Sequence, residues 1–256
     1  MEGRVEGKVV ALTGGGSGVG AASARALAAE GARVAILDYD ADAAQAVASA
    51  IRAAGGEAMA LEVDVRSRGD VRRALSATTE RYGRLDVMAN IAGISFRRDF
   101  LETTEDDFRR LYEVNVVGVM IGMQEAARIF IAQGGGGKII TACSTASRQA
   151  NAPFSAYAAS KFAAHSLVQS GARALAEHGI VVTGFAPGIV DTPLWRANFD
   201  DDAAREAALD EYGRRIPAGR VSTPEDIAPM VVFLASSGAD YSTGQVFPVD
   251  GGLVMV

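Results

Sequence analysis

Val9-Val10-Ala11-Leu12-Thr13-Gly14-Gly15-Gly16-Ser17-Gly18-Val19-Gly20, followed by the alanine-rich run Ala21 to Ala29, is the stretch that decides the architecture. Four apolar residues without alternation read as a buried strand, and the alanine run, closed by Gly31, reads as a helix. The glycines between them permit a tight turn and leave backbone N–H groups at the helix start open to a pyrophosphate. A P-loop is excluded, because Ala21-Ala22 stands where that motif needs Lys-Ser/Thr. Gly16-Ser17-Gly18-Val19-Gly20-Ala21 fits the GxGxxA form of the dinucleotide fingerprint; a merely structural glycine turn is the competing reading.

Outward from this turn the chain repeats one rhythm, a short apolar run and then a helix-like stretch. Arg33 to Leu37, Ala58 to Val63, Leu85 to Ala89, Lys138 to Ala142, Ile180 to Phe185 and Val246 to Val249 are the further expected strands. Helices are expected over Ala41 to Ala54, Val71 to Tyr82, about Glu105 to Gln133, and around Tyr157. Strands this apolar, alternating with helices, imply one α/β domain over 1–256: a doubly wound parallel sheet covered on both faces. Residues 191–223 break the rhythm with Trp195, Phe199, an acidic cluster and a helical stretch to about Arg215. Such excursions lie over the carboxyl ends of strands, so a substrate lid is expected, with a solvated insertion or oligomer contact as alternative.

Asp38, at the end of the second strand, can accept hydrogen bonds from the adenosine ribose hydroxyls. A 2'-phosphate there would meet like charge. No basic residue follows Asp38 and Ser17 occupies the glycine loop, so NAD is expected over NADP.

The totals narrow the partners. The net charge of -6 is spread along the chain without a basic patch, which favours small molecules over nucleic acid or an anionic membrane. Single Cys143 suits a reducing interior, the polar start shows no signal peptide, and no apolar run nears the about 18 residues of a membrane span. A cytoplasmic location is expected. With only His165 and His178 besides Cys143, no metal site is expected, and a Ser-His-Asp triad would have to use one of these two histidines.

Tyr157-Ala158-Ala159-Ser160-Lys161 carries the chemistry. On a helix, a spacing of four sets Tyr157 and Lys161 one turn apart on one face. A fixed ammonium nearby favours the phenolate, lowering a pKa of about 10 and enabling Tyr157 to take a proton from an alcohol. A helix-surface lysine beside a half-buried tyrosine is the bland alternative.

Taken together, these motifs resemble the short-chain dehydrogenase/reductase family over essentially the whole chain. TGxxxGxG appears as Thr13, Gly14, Gly18 and Gly20, with Ser17 and Val19 inside it; the adenine-contacting Asp-Val matches Asp64-Val65. NNAG appears as Asn90-Ile91-Ala92-Gly93, with Ile91 in place of a loop-stabilising asparagine. Asn115, Ser144 (13 residues before Tyr157), Tyr157 and Lys161 match the catalytic set, and Pro187, Gly188, Val190 and Thr192 the nicotinamide-contacting segment. The resemblance implies a Rossmann-type fold and an NAD-dependent enzyme transferring hydride between the nicotinamide and a secondary alcohol or ketone. In it Ser144 holds the substrate oxygen, and Tyr157 exchanges its proton. Lys161 grips the ribose and lowers the phenol pKa, while Asn115 kinks its helix and holds a water in a proton relay. Within the family the pattern is similar to diacetyl/acetoin reductases and polyol dehydrogenases, which implies a small diol, hydroxyketone or polyol held by Ser144, Thr145, Asn151, Tyr157 and Trp195. A 3-oxoacyl-thioester reductase and a non-catalytic dinucleotide-binding protein are the alternatives. The resemblance also implies a homotetramer.

Overall fold

The computed structural model describes residues 3–150, 152–199 and 201–255. In chain order the elements are β1 (Val9–Thr13), α1 (Gly18–Ala29), β2 (Arg33–Asp38), α2 (Ala41–Ala53), β3 (Glu57–Glu62), α3 (Arg68–Tyr82) and β4 (Val87–Asn90). They continue as α4 (Glu105–Tyr112), α5 (Gly118–Gln133), β5 (Gly137–Ala142), α6 (Ser155–Leu175), β6 (Ile180–Pro187), α7 (Pro193–Arg196), α8 (Asp202–Arg215), α9 (Pro224–Ala235) and β7 (Val246–Val249).

All strand pairings are parallel, in the order β3-β2-β1-β4-β5-β6-β7. Strand geometry sends successive side chains to opposite faces, so β1 feeds two cores. Val10 and Leu12 join Leu27 of α1 and Ile227 and Val231 of α9, whereas Val9 and Ala11 join Leu75 of α3, Phe130 of α5 and Val168 of α6. This is the expected doubly wound arrangement. Strand order reverses between β1 and β4, and a crevice opens there at the carboxyl ends.

Element ends differ from expectation by a few residues, for local reasons. β4 starts at Val87 because the backbone of Leu85 pairs with the Gln133 side chain, and Asp86 accepts from Val9 N at 2.8 Å. β6 runs on to Pro187 because β7 pairs with it as far as Pro187↔Val249.

The helix expected over 105–133 carries a π-helical turn at Glu113–Val117, where Gly118 N donates to Glu113 O. The extra residue turns Asn115 inward until it is fully buried. An 18-residue stretch within Glu105–Gln133 reaches a mean hydropathy of 1.4, enough by length and composition alone to cross a membrane. It is nonetheless packed in the core, and Glu125, 4% exposed, is ringed by Arg68, Arg72 and Arg128. Residues 191–223 form α7, α8 and their connections, tied to the sheet end by a parallel bridge between Val190 and Ser222.

Candidate active site

Five helices are capped by their own sequence: Asp40, Ser67, Thr104, Thr192 and Asp201 accept from the backbone N–H of Ala43, Asp70, Asp107, Trp195 and Ala204. At α1 the side chain of Ser17 makes no cap hydrogen bond, and no acidic residue stands in the first turn. The amides at this helix start are therefore left for an external anion. The loop before it is tight: Gly14 has φ +68°, and a methyl there would lie 2.7 Å from the backbone of Ala92. A methyl on Gly20 would run into the Gly14 carbonyl. These residues fit a pyrophosphate cradle.

The loop opens into a cleft of about 1240 Å³, lined by Gly14, Ser17, Gly18, Val19, Gly20, Asp38, Asp64, Val65, Ala92 and Gly93 at one end. Ser144, Thr145, Tyr157, Lys161, Pro187, Gly188, Val190, Thr192 and Trp195 line the other. The volume exceeds the roughly 300–1,000 Å³ of a single-ligand pocket and suits a cofactor together with a substrate. Asn90 and Asn115 stand behind the wall, both buried. Asn151 lies outside the described residues.

At the adenosine end, Asp38 accepts from Gly16 N at 2.8 Å and from Asp40 N at 3.0 Å, which fixes its carboxylate while leaving lone pairs free. Asp64 is clamped by Arg66, with Nη2 to Oδ2 at 2.6 Å, and that hydrogen bond holds its carboxyl below the usual range. Thr13 Oγ1 accepts from Ile91 N at 3.2 Å and Ala92 N at 3.4 Å. The hydroxyl thus steadies the 90–93 turn despite the isoleucine at position 91.

At the reaction end, the side chain of Asn115 is used up on positioning. Its Oδ1 accepts from Ile94 N at 2.9 Å, while Nδ2 donates to Ile94 O at 2.9 Å and to Ser160 Oγ at 3.0 Å. Ser160 Oγ in turn donates to Tyr157 O at 2.7 Å. Lys161 is buried, and its Nζ donates to Ala142 O at 2.8 Å. The ammonium lies 5.8 Å from the Tyr157 ring centre, and 3.6 Å from where a methyl on Gly93 would stand.

Burial pushes the Tyr157 phenol up to about 12, with the Ser144 hydroxyl opposing and Cys143 reinforcing the shift. In the cofactor-free site the charge of Lys161 does not offset this shift. Burial likewise pulls Lys161 down from its ordinary value, so desolvation biases both partners toward their neutral forms.

Trp195, whose N–H donates to Thr192 Oγ1 at 3.3 Å, belongs to a group of rings of which sequence reading named Trp195 and Phe199 but missed Phe154 and Tyr212. Phe154 stacks on it at 6.2 Å, and Phe199 and Tyr212 meet it edge-on at 5.1 and 5.6 Å. All four line the cleft. Aromatics inside an acidic, short-helix segment were the available signal. Of the paired arginines, Arg97 lines the cleft, while Arg98 pairs with Asp107 at 2.9 Å.

Comparison with known proteins follows this geometry. The family model described as enoyl-(acyl carrier protein) reductase matches residues 14–254. A sorbitol dehydrogenase of Cereibacter sphaeroides is 39% identical, covering 97% of this chain and 98% of that protein. An L-2,3-butanediol dehydrogenase of Corynebacterium glutamicum is also 39% identical, covering 96% and 98%. The crystal structure of a short-chain type dehydrogenase/reductase from Mycobacterium marinum superposes with a TM-score of 0.91 at 34% identity, covering 98% of this chain and 97% of that one.

Proposed function

The chain belongs to the short-chain dehydrogenase/reductase family, and on that premise we propose that it uses NAD to interconvert a small diol, hydroxyketone or polyol with its carbonyl counterpart. It is an oxidoreductase acting on the CH–OH group of secondary alcohols and on ketones. One observation carries the finer reading: Ser144, Tyr157 and Lys161 line the same cleft as the glycine turn and Asp38.

Bound there, a nicotinamide dinucleotide supplies the hydride acceptor or donor for the carbinol carbon. The uncapped start of α1 and the glycine turn hold its pyrophosphate, and Asp38 accepts from its ribose. Ser144 and Tyr157 grip the substrate oxygen, and Tyr157 takes or returns the proton. Lys161, which donates to Ala142 O in this structure, would hold the second ribose. Because the phenol is pushed up when the site is empty of charge, its ionisation depends on positive charge arriving with the oxidised cofactor. The side chain of Asn115 positions the Ile94 backbone and the Ser160 hydroxyl, so a water in the proposed relay would be held by the Asn115 main chain.

Residues 191–223 serve as the substrate lid of this one domain. Exposed apolar Phe108, Val117 and Phe162 on the 105–133 and 155–175 helices support a homotetramer, and buried, unpaired Cys143 fits a reducing, cytoplasmic location. The description of the matched family model favours an acyl-thioester substrate as a second reading, whereas Asp38 opposes the NADP that such a reductase would be expected to use. Purified protein given NAD with butane-2,3-diol, acetoin, sorbitol or a 3-hydroxyacyl thioester separates them. NADH should form with the diol and not with the thioester. Tyr157→Phe should remove most turnover while NAD still binds; unchanged turnover would refute the assignment.

A further inference from the structure

Within the cleft, one stretch of wall beyond the reacting groups is aromatic, with Gln149, Glu211 and Arg215 lining the cleft elsewhere. From Tyr157 the rings run without interruption: Phe154 lies edge-on to Tyr157 at 6.5 Å, Trp195 stacks on Phe154, and Phe199 and Tyr212 close on Trp195 from the 191–223 segment. Trp195 is 8% exposed, and its indole Nε1 is enclosed in this packing without a hydrogen-bond partner among the described residues. The wall's indole donor is therefore withheld from the cleft.

Such a wall discriminates between substrates by what it leaves unpaired. Each hydroxyl of a polyol laid against it would lose water without a replacement, at a cost of about tenfold in binding or more per group. A carbon ring loses nothing there and gains burial against the aromatic faces. Resting on the reading of this site as an alcohol dehydrogenase, we infer that the substrate is a vicinal diol or hydroxyketone whose carbon skeleton beyond the two oxygens is apolar and cyclic, with Phe154, Trp195, Phe199 and Tyr212 as the specificity-determining residues. The two oxygens face Ser144, Thr145 and Tyr157, and the ring lies on the aromatic wall. Straight-chain polyols are disfavoured.

The chain has a single tryptophan, so in the turnover-deficient Tyr157→Phe variant, where no NADH forms to absorb its emission, that emission reports this wall independently of turnover. With NAD present, cyclohexane-1,2-diol should change Trp195 emission at concentrations at least tenfold below those needed with sorbitol. In steady state its kcat/KM should exceed that of sorbitol by tenfold or more, and that of butane-2,3-diol by several-fold. Phe199→Leu and Tyr212→Leu should each shrink the cyclohexanediol-to-butanediol ratio several-fold. A preference for sorbitol in emission or in kcat/KM, or ratios unmoved in both variants, would overturn the inference. If no alcohol is oxidised yet cyclohexanediol still changes the emission selectively, the reaction assignment fails while the apolar wall stands. Absence of any emission change with cyclohexanediol overturns the wall, whatever the turnover.

Discussion

The ammonium of Lys161 lies 5.8 Å from the centre of the Tyr157 ring and is engaged with the carbonyl of Ala142 at 2.8 Å. The two side chains share a helix face without a direct bond, and the phenol is held neutral, up at about 12, by burial. Relative to an unfolded value near 10, the folded protein keeps this proton longer as pH rises. Its share of stability is present below pH about 10 and is lost as pH climbs through about 12. Alkaline unfolding of Tyr157→Phe should lack this loss, a difference from the parent of about 2–3 kcal/mol by pH 12. Ultraviolet difference titration of the cofactor-free protein should likewise lose one high-pH tyrosine in the variant. With NAD bound, the same tyrosine should ionise at lower pH.

Asp38 does two tasks, bracing Gly16 N and offering acceptors to the cleft. Asp38→Asn removes the charge and leaves a single side-chain oxygen to accept from Gly16 N or Asp40 N, so one of the two braces is lost as well. The ratio of kcat/KM for NAD over NADP should fall by about tenfold or more, the scale of one charge-assisted hydrogen bond together with relief of repulsion. An unchanged ratio in steady-state kinetics with both cofactors would remove Asp38 from cofactor choice.

Asn115→Ala would strand Ile94 N, Ile94 O and Ser160 Oγ in the interior. Leaving buried donors and acceptors unpaired costs about 1–3 kcal/mol each before relaxation, and a loss of about 3 kcal/mol in urea unfolding is expected. Turnover should fall together with stability, because Ile94 follows the 90–93 turn and Ser160 holds the Tyr157 carbonyl.

Glu125 lies in the interior of the 105–133 helix with three arginines around it. Burial pushes its carboxyl up, but hydrogen bonds from Arg72 and Arg68 and the charge of Arg128 outweigh this and hold it below the usual range. A depressed carboxylate contributes stability above its unfolded value, and that stability is lost as pH falls through the folded one. Glu125→Gln should therefore flatten acid unfolding below pH about 4.5. At neutral pH it should cost about 2–4 kcal/mol, less than for a fully buried pair because the guanidinium groups are partly exposed.

The wound sheet was legible because its signals are local. Val9 to Leu12 are apolar without alternation, and the glycines after them need neither a distant partner nor a particular neighbour to turn the chain. Asp38 and the Tyr157–Lys161 spacing were legible for the same reason, as positions fixed by strand end and helix pitch. Helix Glu105–Gln133 was legible in extent, but its π-helical turn was read only through family resemblance, since Asn115 earns its inward position from Ile94 and Ser160, 21 and 45 residues away.

By itself, the sequence determined the layered α/β fold, the glycine turn and some of the side chains that line the crevice, because strand apolarity, glycine freedom and helical periodicity act over a few residues. Only the tertiary structure decided how those groups behave. The phenol's protonation depends on how deeply α6 is buried against the sheet, and the aromatic wall exists because Phe154, Trp195, Phe199 and Tyr212 converge from separate segments. Desolvation and convergence are properties of packed volume, and no short stretch of chain encodes them.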